Sequence, residues 1–376
     1  MLKRFSHKNT LFCLSGGKRV FFFPSFVPEN PAEKVAIFSK GVYFIKSTIN
    51  ELRNALFMDI KHNYSFDPCN GMTQEQLLTV APGNEPAGFR EFWEENYRLV
   101  MAAPLKYHLE AEIWSPIPEE KIYRVRVTNW DGVEFVLWIT RPENSQGGLI
   151  IGQGYGNIAI PSASQYSLTV GYAAVRGLGP SQCKDIPWET KKHVIHGINS
   201  KETYILRGVI ADQWMATRVL LDMYPECAAN LNYAGGSMGG GMGALLLPWE
   251  KRFKAAFLHV PTFGSEIRFE YESTGSGEAC RKYVLEHPEA RQVLKYFDAS
   301  VAAKYIRIPV CCTPALFDPC VAPAGQFSVV NAIDEKYKTV FIRETGHFGS
   351  TEHDKMVEEQ VKTWCAEHFS LPCSDL

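Results

Sequence analysis

The sequence predicts an α/β fold in which a mostly parallel sheet is covered by helices on both faces and is antiparallel at its amino-terminal edge. Short apolar strands alternate with helical segments through most of the chain, a pattern typical of such sheets. The first two of these strands are joined by a tight turn, as in a hairpin. The 376 residues suffice for one large domain with additions. We divide them into an amino-terminal extension over residues 1–82 and a main domain over residues 83–376.

The extension has the weakest signals. It contains a strand-like aromatic run at Arg19–Val27, a helix around Lys46–Met58 and turn-forming residues at 67–71. The extension is expected to pack on the main domain or to form an interface. The main domain opens with a helix over Ala87–Ala103, because its apolar residues recur on one helical face.

The rest of the main domain alternates between strands and helices. Its first turn, Asp131-Gly132, is a strong hairpin signal. Residues 262–304 exceed the length of a simple crossover, and we expect them to form a cap over the functional site. Helices are predicted at Tyr204–Met223, Met242–Leu247 and His353–Phe369. The predicted strands are Ile122–Asn129, Val133–Thr140, Gly148–Gln153, Gly171–Arg176, Leu231–Gly235, Ala255–Val260, Ile308–Thr313 and Thr339–Arg343.

Composition excludes several classes of function. The net charge is −2 and the basic residues are scattered among acids, so we expect no nucleic-acid partner. No stretch reaches the roughly twenty apolar residues that span a bilayer, so no membrane association is expected. The ten cysteines are irregularly spaced. They are expected to be reduced core residues of a cytoplasmic protein, since no secretory signal is recognised. Neither Cys-x-x-Cys nor His-Glu-x-x-His occurs, and we expect no metal and no cofactor.

The run Gly235-Gly236-Ser237-Met238-Gly239 contains the candidate nucleophile. A lone Gly-x-Ser-x-Gly is weak evidence, because chance supplies it in about one of ten proteins of this composition. Here it follows an apolar strand and precedes a helix, which is the strand–turn–helix setting of a nucleophile elbow in the α/β-hydrolase fold. The amino end of the helix favours negative charge that develops beside Ser237.

A serine hydroxyl needs a base to accept its proton, and the base needs an acid to orient it. In this fold the order along the chain is serine, acid, histidine. Asp318 follows the strand Ile308–Thr313, and His347 follows the next strand. We therefore predict Ser237, Asp318 and His347 as the catalytic residues. The rivals that fit less well are Asp334 for the acid and, for the base, His193, His196, His259 and His353.

Two backbone amides are needed for the oxyanion of the tetrahedral intermediate. Met238 follows the nucleophile and is predicted to supply the first. The second is predicted from Tyr155, because the run 152–156, Gly-Gln-Gly-Tyr-Gly, follows an apolar strand and its glycines let the chain bend into the site. This run lacks the Gly-Lys-Ser/Thr ending and the spacing of a nucleotide-binding loop.

With these motifs in order, the chain resembles the acetyl xylan esterase and cephalosporin-C deacetylase group, carbohydrate esterase family seven. The resemblance covers about residues 85–370. Besides the elbow, it is carried by Phe89-Arg90-Glu91-Phe92-Trp93, Trp130-Asp131-Gly132-Val133, Gly154-Tyr155-Gly156, Arg176-Gly177, His196-Gly197-Ile198, Tyr204-Ile205-Leu206-Arg207-Gly208, Asp212, the segment Phe317-Asp318-Pro319-Cys320-Val321-Ala322-Pro323, and Gly346-His347.

The resemblance implies a serine esterase that removes acetyl groups from small acetylated carbohydrates. It implies the same catalytic residues and oxyanion donors, and a homo-oligomer, often a hexamer with inward-facing sites. Three side chains depart from the family pattern: Leu178 and Met238 replace glutamines, and Phe348 replaces a glutamate. Substrate range is where these departures are expected to act.

Two alternatives stay open. One is a peptidase or lipase of the same fold, with another acyl specificity. The other is a non-catalytic binding protein that keeps the scaffold, and an intact set of serine, acid and histidine argues against it.

Overall fold

The computed structural model describes residues 60–115, 117, 119–155 and 167–369. The predicted strand Arg19–Val27 and helix Lys46–Met58 lie outside these residues. Within them, the strands are, in chain order, β1 (Lys106–Ile113), β2 (Glu120–Thr128), β3 (Glu134–Pro142), β4 (Gly148–Gly152), β5 (Thr169–Ala173), β6 (Leu231–Gly236), β7 (Ala255–His259), β8 (Val310–Thr313), β9 (Ala315–Phe317), β10 (Lys338–Val340) and β11 (Arg343–Thr345).

In the described part of the chain, no helix is both long and apolar enough to cross a membrane. Short 3-10 turns occur at Gly179–Ser181, Pro225–Asn230, Glu266–Phe269, Lys295–Phe297 and Glu335–Tyr337. The α-helices are α1 (Gln74–Leu77), α2 (Phe89–Ala102), α3 (Thr190–His193), α4 (Ile205–Met223), α5 (Met238–Leu246), α6 (Gly275–Glu286), α7 (Ala290–Leu294), α8 (Ala299–Ala303), α9 (Pro323–Ala332) and α10 (Glu352–His368).

The main sheet has nine strands in the order β1-β2-β3-β5-β4-β6-β7-β8-β10. The pairs β1–β2, β2–β3 and β3–β5 are antiparallel. All neighbours from β5 onward are parallel. The hairpin between β2 and β3 turns at Gly132, whose φ of 81° suits a residue without a side chain. The predicted mostly parallel sheet with an antiparallel amino-terminal edge is confirmed.

Apolar side chains cover both faces of this sheet, because successive residues of a strand point to opposite sides. In β4, Ile150 packs into the larger core, which includes residues of α2, α4 and α5, whereas Leu149 packs into a second core with Trp364 of α10. In β8, Cys312 packs into the larger core and Cys311 packs into the second core. The predicted double covering is therefore confirmed.

Helix α5 begins at Met238, directly after Ser237, and not at Met242 as predicted. Glycine has a low helix propensity, so the glycine-rich sequence did not predict that this first turn is helical. Close packing explains the glycines. A Cβ on Gly240 would lie 2.8 Å from the carbonyl oxygen of His259, and one on Gly241 would lie 2.5 Å from that of Thr262.

Three strand predictions need correction. Strand β1 was not predicted, although Tyr107, Leu109, Ala111 and Ile113 alternate with polar residues along this edge strand. The predicted strand Thr339–Arg343 is divided between β10 in the main sheet and β11 in a separate two-stranded sheet with β9. Strand β5 ends at Ala173, short of the predicted Arg176, because the chain leaves the sheet there and carries that arginine into a buried ion pair.

The described part of the extension packs on the main domain. Leu77 of α1 and Val80 are buried against Phe327 of α9, and the side-chain amide of Asn331 donates to the carbonyl oxygens of both Leu77 and Val80, at 2.9 and 3.0 Å. The insertion 262–304 forms α6, α7, α8 and two 3-10 turns. The division at residue 82 and the cap stay predictions.

Trp93 of α2 offers a test of the larger core. It is fully buried, and its indole N–H donates to the carbonyl oxygen of Tyr296 at 2.8 Å. We expect Trp93→Ala to lower the free energy of unfolding by about 3–5 kcal/mol, since a large cavity forms. Chemical denaturation measures this change. The control is Trp188→Ala, whose indole is 64% exposed and whose loss should change stability by less than about 0.5 kcal/mol. Equal effects of the two variants would contradict the assigned core.

Candidate active site

Ser237 occupies the sharp turn between β6 and α5. Its φ of 57° and ψ of −119° lie in a region that residues with side chains rarely adopt, at a cost of about 1–3 kcal/mol. Backbone hydrogen bonds hold this conformation: the Ser237 N–H donates to the carbonyl oxygen of His259 at 2.9 Å, and the Ser237 carbonyl oxygen accepts from Thr262 at 3.2 Å. The residue predicted as the nucleophile is thus one of the strained positions of the backbone, as a nucleophile elbow requires.

The glycines around the turn are required because backbone segments approach one another closely there. A Cβ on Gly235 would lie 2.5 Å from the carbonyl oxygen of Gly239, and one on Gly239 would lie 2.1 Å from that of Gly152 at the end of β4. Real Cβ atoms essentially never approach backbone atoms this closely. The elbow glycines therefore let α5 pack directly against β4 and β6.

Asp318 follows β9, and its side chain is buried. One carboxylate oxygen accepts from the backbone amides of Cys320 and Val321, at 2.8 and 3.0 Å. The other accepts from the side-chain amide of Gln326 at 2.9 Å and pairs with Nδ1 of His347 at 2.8 Å. Gln326 was not predicted as a functional residue. Its position in the first turn of α9, eight residues after the acid, is the only sequence signal it offers.

His347 reaches Asp318 because β9 and β11 are parallel neighbours, with Phe317 opposite Thr345. The loops after the two strands therefore begin side by side. Between them stands Gly346, on which a Cβ would lie 2.1 Å from a carboxylate oxygen of Asp318. Glycine at this position is thus needed for the acid and the histidine to meet.

Asp318, Cys320 and His347 place possible metal-ligand atoms within 4.8 Å of one another. The hydrogen bonds of Asp318 argue against a cation there. A carboxylate has about four lone-pair positions, and four donors already occupy those of Asp318. The arrangement suits a carboxylate that orients an imidazole.

The pairing leaves Nε2 of His347 available, and His347 and Ser237 line the same cavity. Among the described residues, no hydrogen bond joins their side chains, as is common in sites without substrate. The rivals are placed differently. Asp334 is exposed and caps a surface turn, His353 is exposed, and His259 bonds through Nδ1 to the Thr313 hydroxyl at 2.8 Å.

The two predicted oxyanion donors flank Ser237. Met238 is the first residue of α5, where backbone N–H groups lack partners within the helix. On the other side, a Cβ on Gly154 would lie 3.5 Å from the Cβ of Ser237, so the run that contains Tyr155 passes directly beside the nucleophile. Gly156 of that run lies outside the described residues.

The phenol of Tyr155 is held by His193, which sequence reasoning considered only as a rival base. Nδ1 of His193 lies 2.9 Å from the phenol oxygen, and Nε2 lies 2.9 Å from the carbonyl oxygen of Arg176. A carbonyl can only accept, so Nε2 carries the proton and Nδ1 accepts from the phenol. Burial lowers the pKa of His193 to about 4, so the ring stays neutral and keeps these roles.

The model of the family described as acetyl xylan esterase (AXE1) matches residues 70–368. The chain belongs to this family. The match spans both candidate oxyanion donors, the elbow, the acid and the histidine, but it begins after residues 60–69.

Solved structures agree on the fold. An acetyl xylan esterase from Paenibacillus sp. R4 is 20% identical with a TM-score of 0.63, over 78% of this chain and 99% of that one. Acetyl xylan esterase 1 from Thermoanaerobacterium sp. JW/SL YS485 is 18% identical with a TM-score of 0.65, over 79% and 98%. A post-proline cleaving enzyme from Rickettsia typhi is 17% identical with a TM-score of 0.51, over 67% and 38%. The α/β-hydrolase fold is thus confirmed.

Some of the family motifs lie far from Ser237 and have a structural role. Arg176 is buried and pairs with Asp212 of α4 through two hydrogen bonds of 2.6 and 2.7 Å. It also pairs with Asp131 of the hairpin turn. A Cβ on Gly208 would lie 2.3 Å from the guanidinium, so this glycine makes room for it. The network ties the antiparallel edge to α4 and supports the backbone that holds His193.

The three departures from the family pattern differ in position. Leu178 and Met238 are buried in the larger core, and neither side chain contributes to the described cavity wall. Phe348 lines the cavity next to His347. Of the three, Phe348 is therefore the one placed to affect substrate range.

His193 is expected to act through Tyr155. We expect His193→Phe to lower kcat about ten- to a hundredfold with little change in KM, because a displaced oxyanion donor weakens only the transition state. Tyr155→Phe removes the same hydrogen bond and should have a similar effect. Steady-state kinetics on p-nitrophenyl acetate measures both. The double variant should be no worse than either single one, and multiplying losses would contradict the coupling.

Proposed function

We propose that this protein is a serine carboxylesterase that releases acetyl groups from acetylated carbohydrates or related small esters through an acyl-enzyme. The observation that carries the proposal is the 2.8 Å pair between Asp318 and His347, which opens onto the cavity that Ser237 also lines. Membership of the acetyl xylan esterase family supports an acetyl group as the acyl part.

In the first half-reaction, the hydroxyl oxygen of Ser237 attacks the acetyl carbonyl while Nε2 of His347 accepts its proton. Asp318 stabilises the imidazolium that results. The oxyanion of the tetrahedral intermediate accepts from the backbone amides of Tyr155 and Met238. Collapse of the intermediate breaks the ester bond, and His347 gives its proton to the departing alcohol oxygen.

In the second half-reaction, a water molecule attacks the acetyl-serine, and His347 accepts its proton. The same two amides receive the second oxyanion. Collapse restores the Ser237 hydroxyl and releases acetate. The backbone donors explain how the site tolerates the departures at positions 178 and 238, since neither side chain is needed at the oxyanion.

Ser237→Ala tests the nucleophile. We expect it to lower kcat on p-nitrophenyl acetate at least about a thousandfold, because no other group forms the acyl-enzyme. A fluorophosphonate should label the folded wild type at Ser237, as read by peptide mass spectrometry. The matched control is Ser276→Ala, a second serine that lines the cavity, which should keep labelling and turnover. An unlabelled Ser237 in folded protein would favour a non-catalytic binding protein.

A comparison of substrates tests the acyl specificity. Release of acid from p-nitrophenyl acetate, but not from long-chain esters or amide substrates, supports the small-acyl esterase. Turnover of peptides or long-chain esters at higher kcat/KM than acetyl esters would favour the peptidase or lipase.

The pH profile tests His347 as the base. Burial lowers the pKa of His347, but the charge of Asp318 and their hydrogen bond together raise it more, so its pKa lies above the ordinary 6.5. The base must be neutral to accept a proton. We therefore expect kcat/KM for p-nitrophenyl acetate to fall as the pH drops through a midpoint above 6.5, and not near it as an unperturbed histidine would give.

The variant Asp318→Asn gives a second test of His347 as the base. The negative charge is lost. The two backbone donors at one carboxylate oxygen keep the amide oxygen there, so the amide nitrogen faces Nδ1 and disfavours the tautomer that leaves Nε2 free to accept a proton. We expect kcat/KM to fall about ten-thousandfold and the midpoint to move to lower pH. An unchanged midpoint would show that another group controls the acidic limb.

We further propose a homo-oligomeric, cytoplasmic protein. An interface is supported by Leu109 and Trp114, two exposed apolar side chains at the β1 edge of the main sheet. The cytoplasm is supported by the eight cysteines of the described residues, which are free thiols. Light scattering of the purified protein would measure the number of subunits.

A further inference from the structure

A cluster of aromatic side chains lies at one side of the site. It consists of His62, Tyr64, Phe66, Phe317 and Phe348, which we call the aromatic cluster. Its ring centroids are 5.3 Å apart for Phe317 and Phe348, 6.0 Å for Tyr64 and Phe348, and 5.5 Å for Tyr64 and Phe66. Tyr64 and Phe348 line the cavity shared with Ser237 and His347, whereas Phe317 is buried beneath them.

Three of these rings come from residues 60–69, which precede the family match. This segment is fastened to the acid loop. The carbonyl oxygen of Pro68 accepts from the backbone N–H of Asp318 at 3.1 Å. The carboxylate of Asp67 accepts from the backbone amides of Cys69 and Gly71, at 2.9 and 2.7 Å, and fixes the turn that follows. The Tyr64 ring is thus held beside the predicted acid by backbone contacts.

The aromatic cluster lies next to the candidate base His347. His347 must reach the leaving oxygen to protonate it, whereas the acyl group lies between Ser237 and the oxyanion donors. Phe348 follows His347 directly. Tyr64 packs against Phe348 and lines the same cavity, so its ring also lies at the acid end of the site.

We propose that Tyr64 and Phe348 form an aromatic platform for the alcohol part of the substrate, so that acetyl esters of ring alcohols are preferred to those of open-chain alcohols. The ring alcohols are pyranosides and aryl alcohols. Their flat, largely C–H or π faces can cover an aromatic ring and remove it from water, which a short open chain cannot do. This inference rests on the proposed esterase function.

The test compares three acetyl esters: triacetylated methyl β-D-xylopyranoside, phenyl acetate and ethyl acetate. For each variant we take the ratio of kcat/KM on a ring ester to kcat/KM on ethyl acetate, which cancels general damage to the chemical step. Tyr64→Ala should lower this ratio about fivefold for both ring esters, through KM, because stacking contributes to binding. Tyr64→Phe should keep the ratio, since it keeps the ring face.

Two further variants guard against misfolding. Tyr64→Leu and Phe348→Leu keep apolar volume without a flat face, and each should lower the ratio in folded protein, as judged by circular dichroism. Trp188→Ala, an exposed aromatic outside the described cavity wall, should leave the ratio unchanged.

The outcomes separate the two hypotheses. If the wild type hydrolyses all three esters but the ratio is the same in Tyr64→Ala and Phe348→Leu, the platform is refuted and the esterase stands. Equal losses on all three esters also refute the platform, because the cluster would then only hold Asp318 and His347 in place. A folded wild type that hydrolyses none of the esters refutes the proposed function itself.

Discussion

The parallel pairing of β9 with β11 is the contact on which the pair of Asp318 and His347 depends. Each strand has only three residues, and together they form a sheet apart from the nine-stranded one. Their register places Phe317 opposite Thr345, so the next residues of the two loops are Asp318 and Gly346, and His347 can reach back to the carboxylate. A slip of one residue would turn these side chains to opposite faces. The buried carboxylate is then completed by two backbone amides and Gln326.

The nucleophile depends on a different constraint, which is the absence of side chains where β4, β6 and α5 meet. Gly152, Gly235 and Gly239 leave no space for a Cβ. That closeness brings the end of β4 to the start of α5, and so sets the run containing Tyr155 beside Ser237. The hydrogen bond between the Tyr155 phenol and His193 also fixes the position of Tyr155. The two halves of the site are thus built independently and share one cavity.

Periodicity and turn chemistry were enough to predict the sheet, most strand positions and the helix at α4, because these elements are long or apolar. They failed where packing overrides local preference. The first turn of α5 is helical in spite of its glycines, and the edge strand β1 buries too little to stand out. For the site, the elbow and the order of serine, acid and histidine pointed to Ser237, Asp318 and His347. Gln326 and His193 carry no local motif, since they act only through contacts made in three dimensions.

The replacement of glutamate by Phe348 is explained by the contacts of this residue with the segment 60–69. The family resemblance leads one to expect a glutamate after the histidine, where this chain has Phe348. In this structure such a carboxylate would face the rings of Tyr64 and Phe317 and stand close to the charge of Asp318. Burying a second negative charge there would cost free energy and would compete with Asp318 for the imidazolium. A phenylalanine avoids both effects and extends the apolar surface that Tyr64 begins. The apolar rings of a segment that lies before the family match thus disfavour a charged residue beside the candidate base.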